Sequence, residues 1–236
     1  RTIDNLMMAG RDISASKLAM GSTRVMGTCA VGGEAVGVAA ANASRKKLTP
    51  AQYGKQYMHE LQQKLLACDL YVMGQKNEDP NDLALRASVS ASSEQPGFAA
   101  NNIISGVTRR EGGQSNLWRS GALRESGETL TVTLAEPAPV HEVRLVFDPD
   151  LSEERCISVS KAFLQKEPTG VARTLVKDYR VELLRAGAVV AAQTATDNHQ
   201  RRNTAAFSGE LCDSVRVHVL ATNGCEDARI YEVRIY

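Results

Sequence analysis

Five segments between residues 130 and 235 alternate apolar and polar side chains with a period of two. Leu130, Val132 and Leu134 share one face of an extended chain. So do Val143, Leu145 and Phe147; Tyr179, Val181 and Leu183; Val215, Val217 and Val219; and Tyr231, Val233 and Ile235. Successive side chains of a strand point to opposite faces, so each segment reads as a half-buried antiparallel strand with its polar residues outward. Many short strands separated by turn-rich segments predict a β-sandwich. The last alternation runs to the terminal Tyr236, which predicts a chain end tied into the sheet.

The first 80 residues follow a different rule. Ile3 to Ala9 is a short apolar stretch stopped by Gly10, the pattern of a buried strand and a turn. Ser22 or Thr23 then suits the cap of a helix over residues 24–43. Gly27, Gly32, Gly33 and Gly37 interleave there with Ala30, Ala35, Ala39, Ala40 and Ala41. Each Gly costs a helix about 1 kcal/mol relative to Ala. Such a helix face is small enough for another backbone, or a flat ligand, to lie against it. Thr49-Pro50-Ala51-Gln52 is a capping box with Pro at the first helical position. Tyr53, Tyr57, Leu61 and Leu65 recur at i+4 beyond it, joined by Met58 and Leu66. This predicts an amphipathic helix to about Cys68 with a structural role. The polar run Gly74 to Asp82 contains Pro80 and has no apolar period, so it reads as a connection. Residues 1–80 and 83–236 are the expected domains: an α+β piece followed by an all-β domain.

Charge excludes some partners. The 236 residues carry 28 Lys and Arg against 27 Asp and Glu, a net charge of +1. Nucleic-acid binders carry a basic excess, so no nucleic-acid partner is expected. No apolar run approaches the roughly 18 residues of a membrane span, so no membrane partner is expected either. The chain opens at Arg1 with no apolar targeting stretch, so a soluble fragment or processed chain is expected and the compartment stays open.

Catalytic patterns are sparse. Cys29, Cys68, Cys156, Cys212 and Cys225 contain no C-x-x-C pair. Free thiols are expected, with a Cys212–Cys225 disulfide the alternative in an oxidising compartment. His59, His141, His199 and His218 lack metal-ligand spacing. No G-x-S-x-G is present, so hydrolase chemistry has no nucleophile to rest on. Asp148, Asp150, Glu153 and Glu154 read as a solvated turn rather than a metal site.

Three segments of the first part resemble the C-terminal end of a bacterial FAD-dependent oxidoreductase of the glutathione-reductase-like superfamily. They are Asn5-Leu6-Met7-Met8-Ala9-Gly10-Arg11-Asp12, Gly21-Ser22-Thr23-Arg24-Val25-Met26, and Gly32-Gly33-Glu34-Ala35 with the residues after it. The resemblance implies FAD as cofactor. Gly10, Arg11 and Asp12 would approach its ribityl or phosphate side. Arg24, Val25 and Met26 would present backbone N–H groups to the flavin pyrimidine ring. A helix N-terminus carries roughly half a positive charge, so it suits a ring that gathers negative charge on reduction. The G-x-G-x-x-G fingerprint of such proteins is missing from these residues. Its absence implies that an N-terminal FAD-binding portion is a partner, and that this chain alone neither binds FAD tightly nor turns over substrate. The surface of residues 1–80 that would meet that portion is expected to self-associate, or to be disordered, when exposed.

The second part resembles a galactose-binding-like domain, the coagulation-factor type C or discoidin-like jelly roll. The segments are Ala87-Ser88-Val89-Ser90-Ala91-Ser92-Ser93, Ala99-Ala100-Asn101-Asn102-Ile103-Ile104-Ser105-Gly106, Leu117-Trp118-Arg119-Ser120 and Ala228-Arg229-Ile230-Tyr231-Glu232-Val233-Arg234. The resemblance implies an eight-stranded sandwich, often with carbohydrate bound on loops at one end. Trp118 is either a core residue, as in the matching motif, or the aromatic that stacks on a sugar. His199 and Arg201, in the polar loop 198–203, and Arg109 with Arg110, in a Gly-rich loop, are either solvated or donors to hydroxyls. Related sandwiches hold a structural calcium between a turn Asp and a Glu of the last strand. Ser105 replaces that Asp and Glu232 remains, so Glu232 is the candidate ligand of a weakened site. Three readings follow: a fragment of an FAD-dependent oxidoreductase with an accessory sandwich, a carbohydrate-binding module, or a purely structural domain.

Overall fold

The computed structural model describes residues 3–151, 153, 160–165 and 167–236. Cys156 and Glu154 lie outside the described residues. The chain divides into two compact units, Arg1–Asn77 and Glu78–Tyr236.

The first unit is helical. A single 3-10 turn, Gly10–Asp12, precedes α1 (Lys17–Thr23), α2 (Met26–Arg45), α3 (Pro50–Gln56) and α4 (Met58–Ala67). No strand forms over residues 3–9, contrary to the apolar pattern. Ile3 and Leu6 are more than half exposed and no neighbouring strand pairs with them. A lone strand leaves its N–H and C=O groups unpaired, so apolar content alone does not make one. The helix start also moves. Ser16 caps α1, its Oγ accepting the Ala19 N–H at 3.2 Å, while Ser22 and Thr23 lie inside that helix. Val25 is the N-cap of α2 and supplies no side-chain acceptor.

The capping box forms as read. Thr49 Oγ1 accepts the Gln52 N–H at 3.3 Å, and Gln52 Oε1 accepts the Thr49 N–H at 2.9 Å. The helix beyond it breaks at Tyr57, whose φ is −131°. The break sets Tyr57 against Tyr53, with ring centroids 5.6 Å apart, and Lys46 Nζ lies 4.2 Å from the Tyr57 centroid. Ala39, Ala43, Tyr53, Leu61 and Leu65 make the core of this unit. Of the twenty residues of α2, only Ala39, Asn42 and Ala43 are buried.

The second unit is an antiparallel β-sandwich of the jelly-roll kind. Its strands are β1 (Ser88–Ala91), β2 (Trp118–Ala122), β3 (Glu128–Phe147), β4 (Val176–Arg185), β5 (Ala188–Ala195), β6 (Arg202–Thr222) and β7 (Asp227–Ile235). They pair in the order β2-β7-β3-β6-β4-β5, with β1 on β3. The two long strands carry the architecture. Their register breaks between Thr133 and Ala138, where Pro137 cannot donate to a ladder, and again between Val140 and Glu142. Gly209 lets them pass at close range. Its φ is +97°, and a Cβ there would lie 2.4 Å from His141 Cε1.

The alternating residues face one core. Leu130, Val132, Leu134, Val143, Leu145, Phe147, Val181, Leu183, Val215, Val217 and Val219 all join it. Tyr231 departs from the pattern. In β7, Glu232 pairs with Val146 and Ile230 with Phe147, so Tyr231 is an inserted residue. Ile230 takes the core place, and Tyr231 packs instead with Leu117, Val146 and Phe98.

Candidate functional site

Two places in the chain, one in each unit, have the make-up of a site. In the first unit it is the start of α2. Val25 and Met26 are 53% and 87% exposed, and Arg24 is exposed beside them. The first turn has no side-chain cap, so its N–H groups face outward with the positive end of a 20-residue helix behind them. A Cβ added at Gly27, Gly32, Gly33 or Gly37 would meet nothing within 4 Å. The small-residue face is therefore open. Gly10, at φ +86°, starts the 3-10 turn in which Arg11 and Asp12 are exposed. Of the three expected donors, the Arg24 N–H is taken by Met20 O at 3.2 Å, while α2 begins at Met26 with no capping side chain, so its exposed first turn fits a flat, electron-rich group.

In the second unit, a cavity of about 680 Å³ opens at one end of the sandwich. Phe98, Asn102, Arg110, Gln114, Asp148 and Arg229 are among its walls. Local pairing puts them there. Alternation along β2 sends Trp118 inward and Arg119 outward. Asp148 follows the last residue of β3, and Arg229 lies in the first turn of pairing of β7.

An ion-pair ladder forms one wall. Arg119 Nε and Nη2 donate to Asp227 Oδ2 and Oδ1 at 2.7 and 3.1 Å. Arg229 Nε donates to Asp227 Oδ2 at 2.8 Å, and its Nη1 reaches Asp148 Oδ2 at 3.4 Å. Burial opposes ionisation of Asp227, but the hydrogen bonds of the two guanidinium groups outweigh it and bring its pKa down to about 2. Asp148 goes the other way. Burial raises it, and the Asp150 N–H and Arg229 offset this only in part. The cavity thus joins a firmly anionic carboxylate behind its wall to a more basic one on its surface.

The aromatic content is partly taken up by the protein itself. The Arg119 guanidinium lies 5.6 Å from the Phe98 centroid, and that of Arg201 lies 5.2 Å from the Tyr231 centroid. Arg201 also donates to Phe147 O at 3.0 Å and Thr108 O at 2.8 Å. It acts as a brace for the loop rather than as a free donor.

The expected ligand residues scatter. Arg110 lines the cavity. Arg109 does not; its carbonyl accepts from Asn116 Nδ2 at 3.0 Å. Trp118 is fully buried, and its indole N–H donates to Ser93 O at 3.0 Å, so it has no face to offer a sugar. His199 is exposed in a separate turn, with Nδ1 3.4 Å from Asp197 O. Glu232 is 3% exposed and accepts from Arg234 Nε at 2.7 Å. The charge a calcium ion would bring there is already supplied by a guanidinium. Among the described residues, no group of three or more His, Cys, Asp or Glu is arranged to hold a metal. Cys212 and Cys225 are free thiols, and Cys225 Sγ lies 3.2 Å from Asp227 Oδ1. No described helix is long and apolar enough to cross a membrane.

Sequence reasoning passed over Phe98, Asp227 and Arg229 as site residues. One signal was present for Arg119 and Arg229. Each sits next to an apolar core residue in a strand, so alternation alone turns it outward.

Comparison with known proteins bears on both units. Residues 1–65 match the family described as FAD dependent oxidoreductase. No curated protein matches the chain. Among solved structures, a fucose binding module of Streptococcus pneumoniae is similar at 12% identity with a TM-score of 0.51, over 69% of this chain and 99% of that one. The family 32 carbohydrate-binding module of Streptococcus pneumoniae EndoD is similar at 16% identity with a TM-score of 0.51, over 66% and 99%. At these identities the likeness is one of fold. The chain thus joins a segment similar to FAD-dependent oxidoreductases to a sandwich with the fold of carbohydrate-binding modules.

Proposed function

We propose that this chain is the C-terminal part of an FAD-dependent oxidoreductase whose second unit docks a carbohydrate-bearing substrate. The observation that carries the first half is the uncapped, exposed start of α2 inside the segment that matches the oxidoreductase family. FAD supplies hydride or electron transfer when bound. The residues of this chain supply its electrostatic setting. N–H groups at Met26 and Gly27 would hold negative charge at the ring, and the turn at Gly10, Arg11 and Asp12 would approach the cofactor's ribityl or phosphate side. Polypeptide bearing the nucleotide-binding fingerprint holds the rest.

Met26→Pro tests this reading in the protein that carries the flavin. Pro is accepted at the first helical position but has no N–H. A more negative flavin reduction potential is expected; an unchanged potential and spectrum would speak against the placement. For the present chain alone, titration with FAD should leave the flavin spectrum unshifted. Stoichiometric binding would refute the need for a second portion.

The second half rests on the end-loop cavity. Arg110, Asn102 and Gln114 offer hydrogen-bonding groups for hydroxyls, Asp148 an acceptor, and Phe98 an apolar surface for a C–H face. Calorimetric titration with galactose, fucose and their oligosaccharides should detect binding that Arg110→Ala and Phe98→Ala weaken. If none of these sugars binds, the sandwich only braces the fold. The alternative of a self-standing carbohydrate-binding module is favoured if the same affinity survives removal of residues 1–77.

A further inference from the structure

We infer that the end-loop cavity selects an acidic sugar, a uronic acid whose carboxylate pairs with Arg110. The inference rests on the carbohydrate-docking reading above and names the class of sugar. Among the described residues, Arg110, Arg119 and Arg229 bring guanidinium groups to the cavity walls, and Asp148 and Asp150 bring carboxylates. Much of this charge is engaged within the protein. Arg119 and Arg229 hold Asp227, and Arg229 reaches on to Asp148. The other oxygen of Asp148 accepts the Asp150 N–H at 2.9 Å. The two positive and two negative charges of this ladder cancel.

Arg110 stands outside the ladder. It is exposed, and among the described residues no hydrogen-bond or ion-pair partner reaches its guanidinium. The chain on either side of it is nevertheless fixed. Arg109 O accepts Asn116 Nδ2 at 3.0 Å, and Glu111 and Gln114 exchange main-chain hydrogen bonds at 2.9 and 3.1 Å. A guanidinium without an internal partner meets a carboxylate through two parallel charge-assisted hydrogen bonds, which a neutral hydroxyl does not offer. The neighbouring amides are weaker candidates for that role. Asn102 Nδ2 already donates to Leu117 O at 2.9 Å, and Gln114 carries no charge.

Asp150 is the opposing charge, and its place gives the site a direction. It also walls the adjoining cavity of about 720 Å³, together with Glu153, Glu226 and Asp227 and against Arg173. Acidic charge is therefore gathered on the Asp150 side. The free cation belongs to the loop that carries Gly112 and Gly113. A sugar with its C–H face on Phe98 turns a carboxylate to Arg110 and away from Asp150.

Calorimetric titration of the full chain with galacturonate, galactose and galactosamine, at neutral pH and low salt, tests the inference. Galacturonate should bind about tenfold more tightly than galactose, and galactosamine more weakly than either. The methyl ester of galacturonate should lose the advantage, and Arg110→Gln should abolish it. Asp150→Asn should widen it, and added salt should narrow it because the pair is exposed. Far-ultraviolet circular dichroism checks that both variants fold. Equal affinities for the three sugars, tighter binding of galactosamine, or an advantage that survives Arg110→Gln overturns the inference and leaves the docking reading standing. If none of the three sugars binds, the docking reading falls and takes this inference with it.

Discussion

The carboxylate of Asp82 accepts the main-chain N–H of Ile235 at 3.0 Å. It links the beginning of the second unit to its last strand across 153 positions. The same oxygen accepts the Ala84 N–H at 3.1 Å, and the residue is 3% exposed. Asp82→Ala strands two buried donors, which costs about 1–3 kcal/mol when a buried group loses its partner. Urea unfolding followed by the fluorescence of Trp118, the one Trp of the chain, should show the second unit losing stability by that amount. An unchanged midpoint would show that the pair is incidental.

Asp227 predicts an acid limb of stability. Its pKa is near 2 in the folded unit and near 3.9 in an unfolded chain. A lowered carboxyl pKa stabilises above the unfolded value, and that contribution is lost as pH falls through the folded value. It amounts to about 2 kcal/mol at neutral pH. Stability should therefore fall between pH 4 and pH 2, and Asp227→Asn should flatten that part of the profile. Asp148, raised by burial, acts with the opposite sign and does not produce this loss.

Trp118→Ala should cost about 3–5 kcal/mol, because the ring is fully buried and its N–H satisfies Ser93 O. Chemical denaturation monitored by circular dichroism measures this. Sugar titration of the still-folded variant should match the parent chain. A selective loss of sugar affinity without loss of stability would put the ring back at the mouth of a site.

Thr49→Ala removes one half of the capping box and should lower the stability of the helical unit by about 1 kcal/mol. Thr49→Ser keeps the acceptor and should stay near the parent value. Hydrogen exchange at the Gln52 amide reads the effect locally.

The sheet was legible because its signal is local. Val215, Val217 and Val219 need only a two-residue period to declare one face, and all three are buried. The capping box at Thr49 was legible for the same reason. The strand expected over residues 3–9 failed because a strand is a relation between two segments, and periodicity reports only one. The start of α2 was misplaced because Ser16, six residues before Ser22, offers the same capping chemistry to an earlier helix. The cavity was hardest to see. Phe98, Arg119, Asp148 and Arg229 come from four separated stretches, and only the pairing of β2, β3 and β7 gathers them. Trp118 drew attention through its rarity, yet its neighbour Arg119 is the one that meets the cavity.

The inserted residue in β7 has a consequence for how this unit could evolve. Removing Tyr231 would leave Ile230 against Phe147 and Glu232 against Val146, and would take the aromatic ring from beside Leu117 and Phe98 at the cavity. The polarity of the opening is thus governed by spacing as much as by which amino acids are present, and a single-codon deletion could rewrite it while leaving every other strand in place.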